Sequence, residues 1–201
     1  MKNKILINNL VKAAMLTALS IILSRILGIQ LTQDIKISFG TLAILAALSV
    51  VLRRFFTITI PVNKKIGIGY MPIVLSGIMY GPMFGGITGA LADVVGMLLN
   101  PDGVFHPGFT LSAFLMGFGP GIISHYLIKG DGKKKLNIRI ILSCIFAFLI
   151  VRLLIESIWL MQYTKNPYWI YVLRRVPKQI FETILNILII KIIIPRIEKY
   201  A

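Results

Sequence analysis

The sequence predicts an all-α membrane protein, and three observations carry that reading. Hydrophobic residues fill 57% of its 201 positions and charged ones only 14%, with a mean hydropathy of +0.85. A soluble domain carries roughly a quarter charged residues. The apolar residues gather into runs of helical length, at 10–29, 40–60, 70–80, 83–99, 109–128, 138–162 and 176–195. Basic residues stand at the ends of those runs. The formal charge of +15, from 22 Lys and Arg against 7 acids, therefore fits cytoplasmic loops and anionic headgroups better than nucleic acid.

The first run resembles a signal peptide, because Lys2, Lys4 and Lys12 precede an apolar core at 13–23. No small-x-small cleavage site follows it, and Arg25 comes next, so the segment reads as retained. The second run repeats the first. At a shift of 29 residues, "AMLTALSIILSRILGI" (14–29) lies on "AILAALSVVLRRFFTI" (43–58), and "KISFG" (36–40) lies on "KIGIG" (65–69). An arginine and a Lys-Ile-x-x-Gly held in one register indicate a duplicated helix with its exit loop.

The run at 70–80 is shorter than the roughly 20 residues that cross a bilayer, and "YGP" at 80–82 breaks it from the next. In 83–99, Gly85, Gly86, Gly89 and Gly96 let neighbouring backbones approach closely. The linker "KGDGKKKLNIR" (129–139) holds five cations against one aspartate and marks the cytoplasmic side. Lys191, Arg196 and Lys199 put the C-terminus on that same side, with one helical hairpin between. The loop "NPDGVFHPGFT" (100–110) and the turn near 166–168 then fall outside. If all seven runs span, the N-terminal lysines also fall outside, against the positive-inside bias. Either one copy of the duplicated helix lies along the interface, or the 129–139 cluster outweighs three lysines.

The chain lacks the residues that catalysis needs. There is no Walker loop, no GxSxG and no paired carboxylates on one helix. Cys144 is alone, and two histidines without cysteine partners make no zinc site. No catalytic residue, metal or cofactor is expected.

Four ionisable residues stand inside apolar runs, where they are costly: Asp93, Arg152, Glu156 and Glu182. Asp93, in "GALADVVG", is either an acceptor for a ligand or the adjacent loop, or a polar lock between helices. Arg152 and Glu156, four apart, either neutralise each other or face a cavity together with Trp159. In "PYWIYVLRRVPKQ" (167–179), Tyr168, Trp169 and Tyr171 suit an interfacial belt. Arg174 and Arg175 on the outer side run against the usual bias and suit capture of an anion. In the loop at 100–110, Pro101 and Pro107 stiffen the chain and Gly103 and Gly108 permit tight turns. Thr110 is placed to cap the next helix, while Phe105, His106 and Phe109 offer a donor and flat faces. Ala14xxxAla18 and its copy Ala43xxxAla47 offer small-residue faces for another helix.

Residues 65–121 bring four motifs together: "KIGIGYMP", "GIMYGP", "GALAD" and "PGFT". In this block, and in "RRVPKQI" before the last run, the chain resembles the folate-type S components of energy-coupling factor (ECF) transporters over about residues 41–198. The resemblance implies a six-helix S-component bundle at 41–201, preceded by an extra, duplicated helix at 1–40. It implies a multi-pass protein of the cell membrane that binds a vitamin, most closely folate, from outside. That vitamin would be delivered by toppling in a complex with a transmembrane coupling subunit and two ATPase subunits, which supply ATP hydrolysis. Ligand binding would fall to Arg54, Asp93, His106, Phe109, Thr110, Glu156, Trp159, Arg174 and Arg175. The coupling subunit would dock on Ala43 and Ala47 or on Ala14 and Ala18.

The chain departs from the family pattern in two ways: a second copy of the first helix, and Glu156-Ser157 where Asn-Thr is common. The acid keeps open a cationic vitamin such as thiamine. An intramembrane assembly protein without a ligand is the third reading.

Overall fold

The computed structural model describes residues 38–55, 57–60, 64–99, 106–130, 132–164 and 167–198. The expected helix at 10–29, with Ala14 and Ala18, lies outside them. Six helical segments make up the fold: α1 (Ser38–Phe55), α2 (Met71–Tyr80), α3 (Pro82–Leu99), α4 (Pro107–Ile122), α5 (133–164) and α6 (Tyr168–Glu198). Helix α4 runs on through a π-helical turn at Ile123–Leu127, and α5 contains a π-helical stretch at Phe146–Ile155. Between α1 and α2 lies an antiparallel hairpin, β1 (Thr57–Ile60) with β2 (Lys64–Gly67), in the register Thr57 to Gly67 and Ile60 to Lys64.

Lipid as the solvent explains which side chains face where. On α6, Ile180, Ile184, Leu188 and Ile192 form an exposed stripe at a spacing of four. The opposite face buries Gln179, Glu182, Thr183 and Asn186. A helix in water would show the reverse. Likewise α3 exposes Ile87, Leu91, Val94 and Leu98. Among the described residues, three helical stretches are long and apolar enough to cross a bilayer, at Pro82–Leu99, Pro107–Leu127 and Lys133–Gln162. The core between the helices is built on Ile73, Val74, Met116, Phe148, Val151 and Ile190. Gly85 and Gly89 of α3 face the backbones of Gly117 and Ala113 in α4, the close approach that the glycines of 83–99 predict.

Several expected boundaries move. The second run divides, with a helix to Phe55 and then a strand, because "TITI" alternates β-branched residues that suit a pleat. Ser38 to Gly40 open α1, whereas their counterparts Gly67 to Gly69 end β2 and turn into α2; the duplicated register does not bring a duplicated structure there. Helix α6 starts at Tyr168, so "PYWIYVLRR" is its first turns rather than a segment before it. "PGFT" opens α4, with Pro107 at the position where a missing N–H costs nothing.

Helix α2 has ten residues, a length of about 15 Å, roughly half the hydrocarbon thickness. The β-hairpin occupies the chain just before it. Non-helical backbone at membrane depth is tolerated only where protein or a wet cavity surrounds it. Here Gly67 N–H, at the end of β2, donates to the Glu182 carboxylate (3.2 Å). Ser49 Oγ of α1 donates to the Gly69 carbonyl (2.6 Å). The α4 start, the α5 end and the α6 start share one end of the bundle. The α4–α5 connection at 128–132 lies at the other.

Candidate functional site

Where β2 ends and α2 begins, the facing sides of α5 and α6 hold a buried charge cluster. Arg152, in the π-helical stretch of α5, donates through Nη1 to Glu182 Oε2 of α6 at 2.8 Å. Its guanidinium carbon lies 4.1 Å from the centre of the Tyr70 ring, a cation–π distance. Glu182 also faces Lys178 Nζ at 3.7 Å and accepts from Gln179 Nε2 at 3.4 Å. Glu156 takes Arg175 Nη2 at 2.7 Å and stands 3.7 Å from Arg152 Nε. All five ionised side chains are at most 17% exposed.

The cluster holds three cations, Arg152, Arg175 and Lys178, against two carboxylates, Glu156 and Glu182. Among the described residues one positive charge is therefore in excess. In a site shielded from water such an excess is costly unless an anion answers it. Hydrogen-bonding capacity is also left over: Arg152 Nε, Arg175 Nη1, Gln179 Oε1 and Asn186 Oδ1 are buried without a hydrogen-bond partner among the described residues. The N-cap residue of the half-length helix α2, Tyr70, makes no side-chain cap. The positive end of that helix therefore adds to the same field.

One helical turn along α5 from Glu156 stands Trp159, and an aromatic group closes that end. Trp159 Nε1 donates to Ser112 Oγ of α4 at 3.0 Å. The His106 ring lies 5.6 Å from Trp159 and 5.8 Å from Phe109, edge-on to the latter. Gly108 N–H donates to His106 Nδ1 at 3.1 Å, so His106 caps α4. A side chain at Gly108 would run into the Trp159 ring, and only glycine lets the loop lie this close.

The structure sorts the sequence candidates. Glu156, Trp159, Arg175, His106 and Phe109 come together as above. Arg174 is exposed, on the next face of α6. Thr110 does not cap α4, since the helix has already begun at Pro107. Its hydroxyl instead donates to Asp93 Oδ2 of α3 at 2.9 Å. Asp93 thus ties α3 to the first turn of α4, as a polar lock between helices. Arg54 falls in the last turn of α1, and its side chain lies outside those described. Ala43 and Ala47 are half-buried on α1, flanking the exposed Ile44 and Leu48. The Arg152–Glu156 pair is present at 3.7 Å, and each partner has a shorter bond to α6. Sequence reading singles out Arg152 and Glu182 as costly charges without giving them a ligand role, and leaves Lys178, Gln179 and Tyr70 out of the site. The signal for most of them was there: Lys178, Gln179, Glu182 and Asn186 form a polar stripe at helical spacing inside an apolar run.

Comparison with known proteins shows the family and the fold. Residues 39–194 match the family model described as the ECF transporter substrate-specific component. The chain is 32% identical over 174 residues to the folate transporter FolT of Clostridium novyi (strain NT), covering 86% of this chain and 80% of that one. It also superposes on the crystal structure of FolT bound with folic acid with a TM-score of 0.62. That match has 29% identity and covers 77% of this chain and 90% of the other.

Proposed function

The chain belongs to the ECF transporter substrate-specific components, and we propose that within this family it binds folate from outside the cell membrane. The single observation that carries the substrate is the excess cation of the α5–α6 cluster beside the Trp159–His106–Phe109 group. Folate combines a flat heterocycle with two carboxylates. The cluster answers the carboxylates, and the aromatic group offers faces to the ring. The likeness to FolT, including its folic acid complex, supports the same reading. A cationic vitamin fits less well, because both carboxylates of the cluster are already met by cations.

In this reading the protein crosses the membrane several times, with the 100–110 loop outside and the 129–139 linker in the cytoplasm. A transmembrane coupling subunit docks along α1 at Ala43 and Ala47, and two ATPase subunits supply the energy. Residues 1–40 are an addition to the 41–201 unit and carry a second copy of that face in Ala14 and Ala18.

The test is a titration of the detergent-purified protein with folic acid, following tryptophan fluorescence. Of the two tryptophans, Trp159 stands at the site, so saturable quenching is expected and Trp159→Phe should remove most of it. Saturable binding of thiamine with none of folic acid would overturn the assignment.

A further inference from the structure

The end of the bundle away from the charge cluster holds a second feature that vitamin binding does not use. A half-open cavity of about 380 Å3 lies between α2, the π-helical turn that ends α4, the start of α5 and the end of α6. One wall is apolar, made by Ile78, Met79, Leu136 and Ile194. The other carries His125, Lys129 and Arg139. Arg139 holds the connection in place, donating through Nε to the Ile128 carbonyl at 2.9 Å and through Nη2 to the Gly130 carbonyl at 2.7 Å. That uses two of its five N–H groups. Lys135 Nζ donates to the Lys129 carbonyl at 3.1 Å. Ser124 and the His125 ring both bond to the Ile78 carbonyl, at 3.1 Å each, which fixes the π turn against α2.

Among the described residues the charge here is unbalanced. The first turn of α5 carries Lys133, Lys134 and Lys135 and no acid, and its N-cap, Gly132, supplies no side-chain acceptor. Cations at a helix N-terminus oppose the helix dipole. The described residues around the cavity offer Lys129, Lys135 and Arg139 with no carboxylate paired to any of them. Lys133 also opens the long apolar stretch Lys133–Gln162, which places this end at headgroup depth.

We propose that this cavity is a binding site for an anionic phospholipid of the cytoplasmic leaflet. Its phosphate would meet Lys129 and Arg139, and its glycerol and first acyl carbons would lie along the Ile78–Leu136–Ile194 wall. The mixed lining selects this occupant. A free phosphate would leave the apolar wall wet, and a zwitterionic lipid would leave the cations unanswered.

Native mass spectrometry of the purified full chain tests this, titrating with phosphatidylglycerol and, separately, phosphatidylcholine of the same acyl chains. Phosphatidylglycerol should be retained in preference, and Lys129→Gln should lower that preference about fivefold. Lys129→Glu should abolish it while folic acid quenching stays unchanged. Lys129 is exposed and, among the described residues, its side chain makes no hydrogen bond or ion pair, so neither variant threatens folding. Equal uptake of the two lipids, or an undiminished preference in Lys129→Glu, would overturn the proposal. So would loss of the preference on adding millimolar inorganic phosphate, which would give the cavity to a soluble anion.

Discussion

Arg152 of α5 and Glu182 of α6 form a direct ion pair, Nη1 to Oε2 at 2.8 Å, with side chains only 9% and 1% exposed. The pair is the joint of the charge cluster. It also anchors the hairpin, since Glu182 takes the Gly67 N–H as well. Removing one partner of a buried pair leaves the other charge without compensation. Glu182→Ala should therefore cost about 3–5 kcal/mol of stability, read as a lowered unfolding temperature in detergent. Glu182→Gln keeps the shape and an acceptor and should cost less. A Glu182→Ala protein as stable as the parent would mean that the pair does not hold α5 to α6.

Arg174 and Arg175 are neighbours in sequence and differ in role. Arg175 reaches Glu156 and has one buried, unbonded Nη1, whereas Arg174 is exposed. By isothermal calorimetry, Arg175→Ala should weaken folic acid binding about 10- to 100-fold, the range for a hydrogen bond to a charged group. Arg174→Ala should change it less than about threefold, as surface substitutions usually do. Equal losses from the two would contradict the geometry.

The fit of Gly108 against Trp159 leaves no room for a methyl group. Overpacking of this kind costs about 1–3 kcal/mol. Gly108→Ala should reduce folic acid affinity by displacing the His106–Trp159 contact, and the unliganded fluorescence of Trp159 should change with it. An unaltered spectrum with unaltered affinity would show that the loop is not part of the site.

Thr110 and Asp93 bind the first turn of α4 to α3. Thr110→Val keeps the volume, removes the hydroxyl and leaves a carboxylate short of a donor. The expected cost is about 1.5–3 kcal/mol, with Thr110→Ser restoring most of it. Thermal unfolding of the two variants side by side distinguishes this lock from a solvated contact.

Ala43 and Ala47 bear on the docking proposal. Ala47→Leu should block co-purification with the coupling subunit without disturbing folic acid binding, because α1 takes no described part in the cluster. Should the complex survive leucine at both positions, the small-residue face is packing only.

Much of this architecture is legible in the sequence for a plain reason. In lipid, apolar runs of helical length have little choice but to be helices, and basic ends choose their side. The break at Gly81 and the close approach of α3 to α4 also follow from local glycine chemistry. Thr110 shows where such reading stops. A threonine three residues past a proline looks like a cap, but His106 takes that role and the Thr110 hydroxyl reaches α3 instead. "TITI" shows the same limit from the other side, since its strand exists only because β2 lies beside it.

The sequence by itself determined most of the helical segments, the basic end of the bundle and the presence of costly ionisable groups within it. Each of these depends on spacing along one chain and on transfer between water and lipid. Only the tertiary structure decided which charges meet. Arg152 pairs with Glu182 thirty residues away in preference to Glu156 four away, and Arg175 rather than Arg174 turns inward. Those choices depend on how far the π-helical stretch rotates α5 and on where α6 lies against it, and neither is set by a periodicity within either helix.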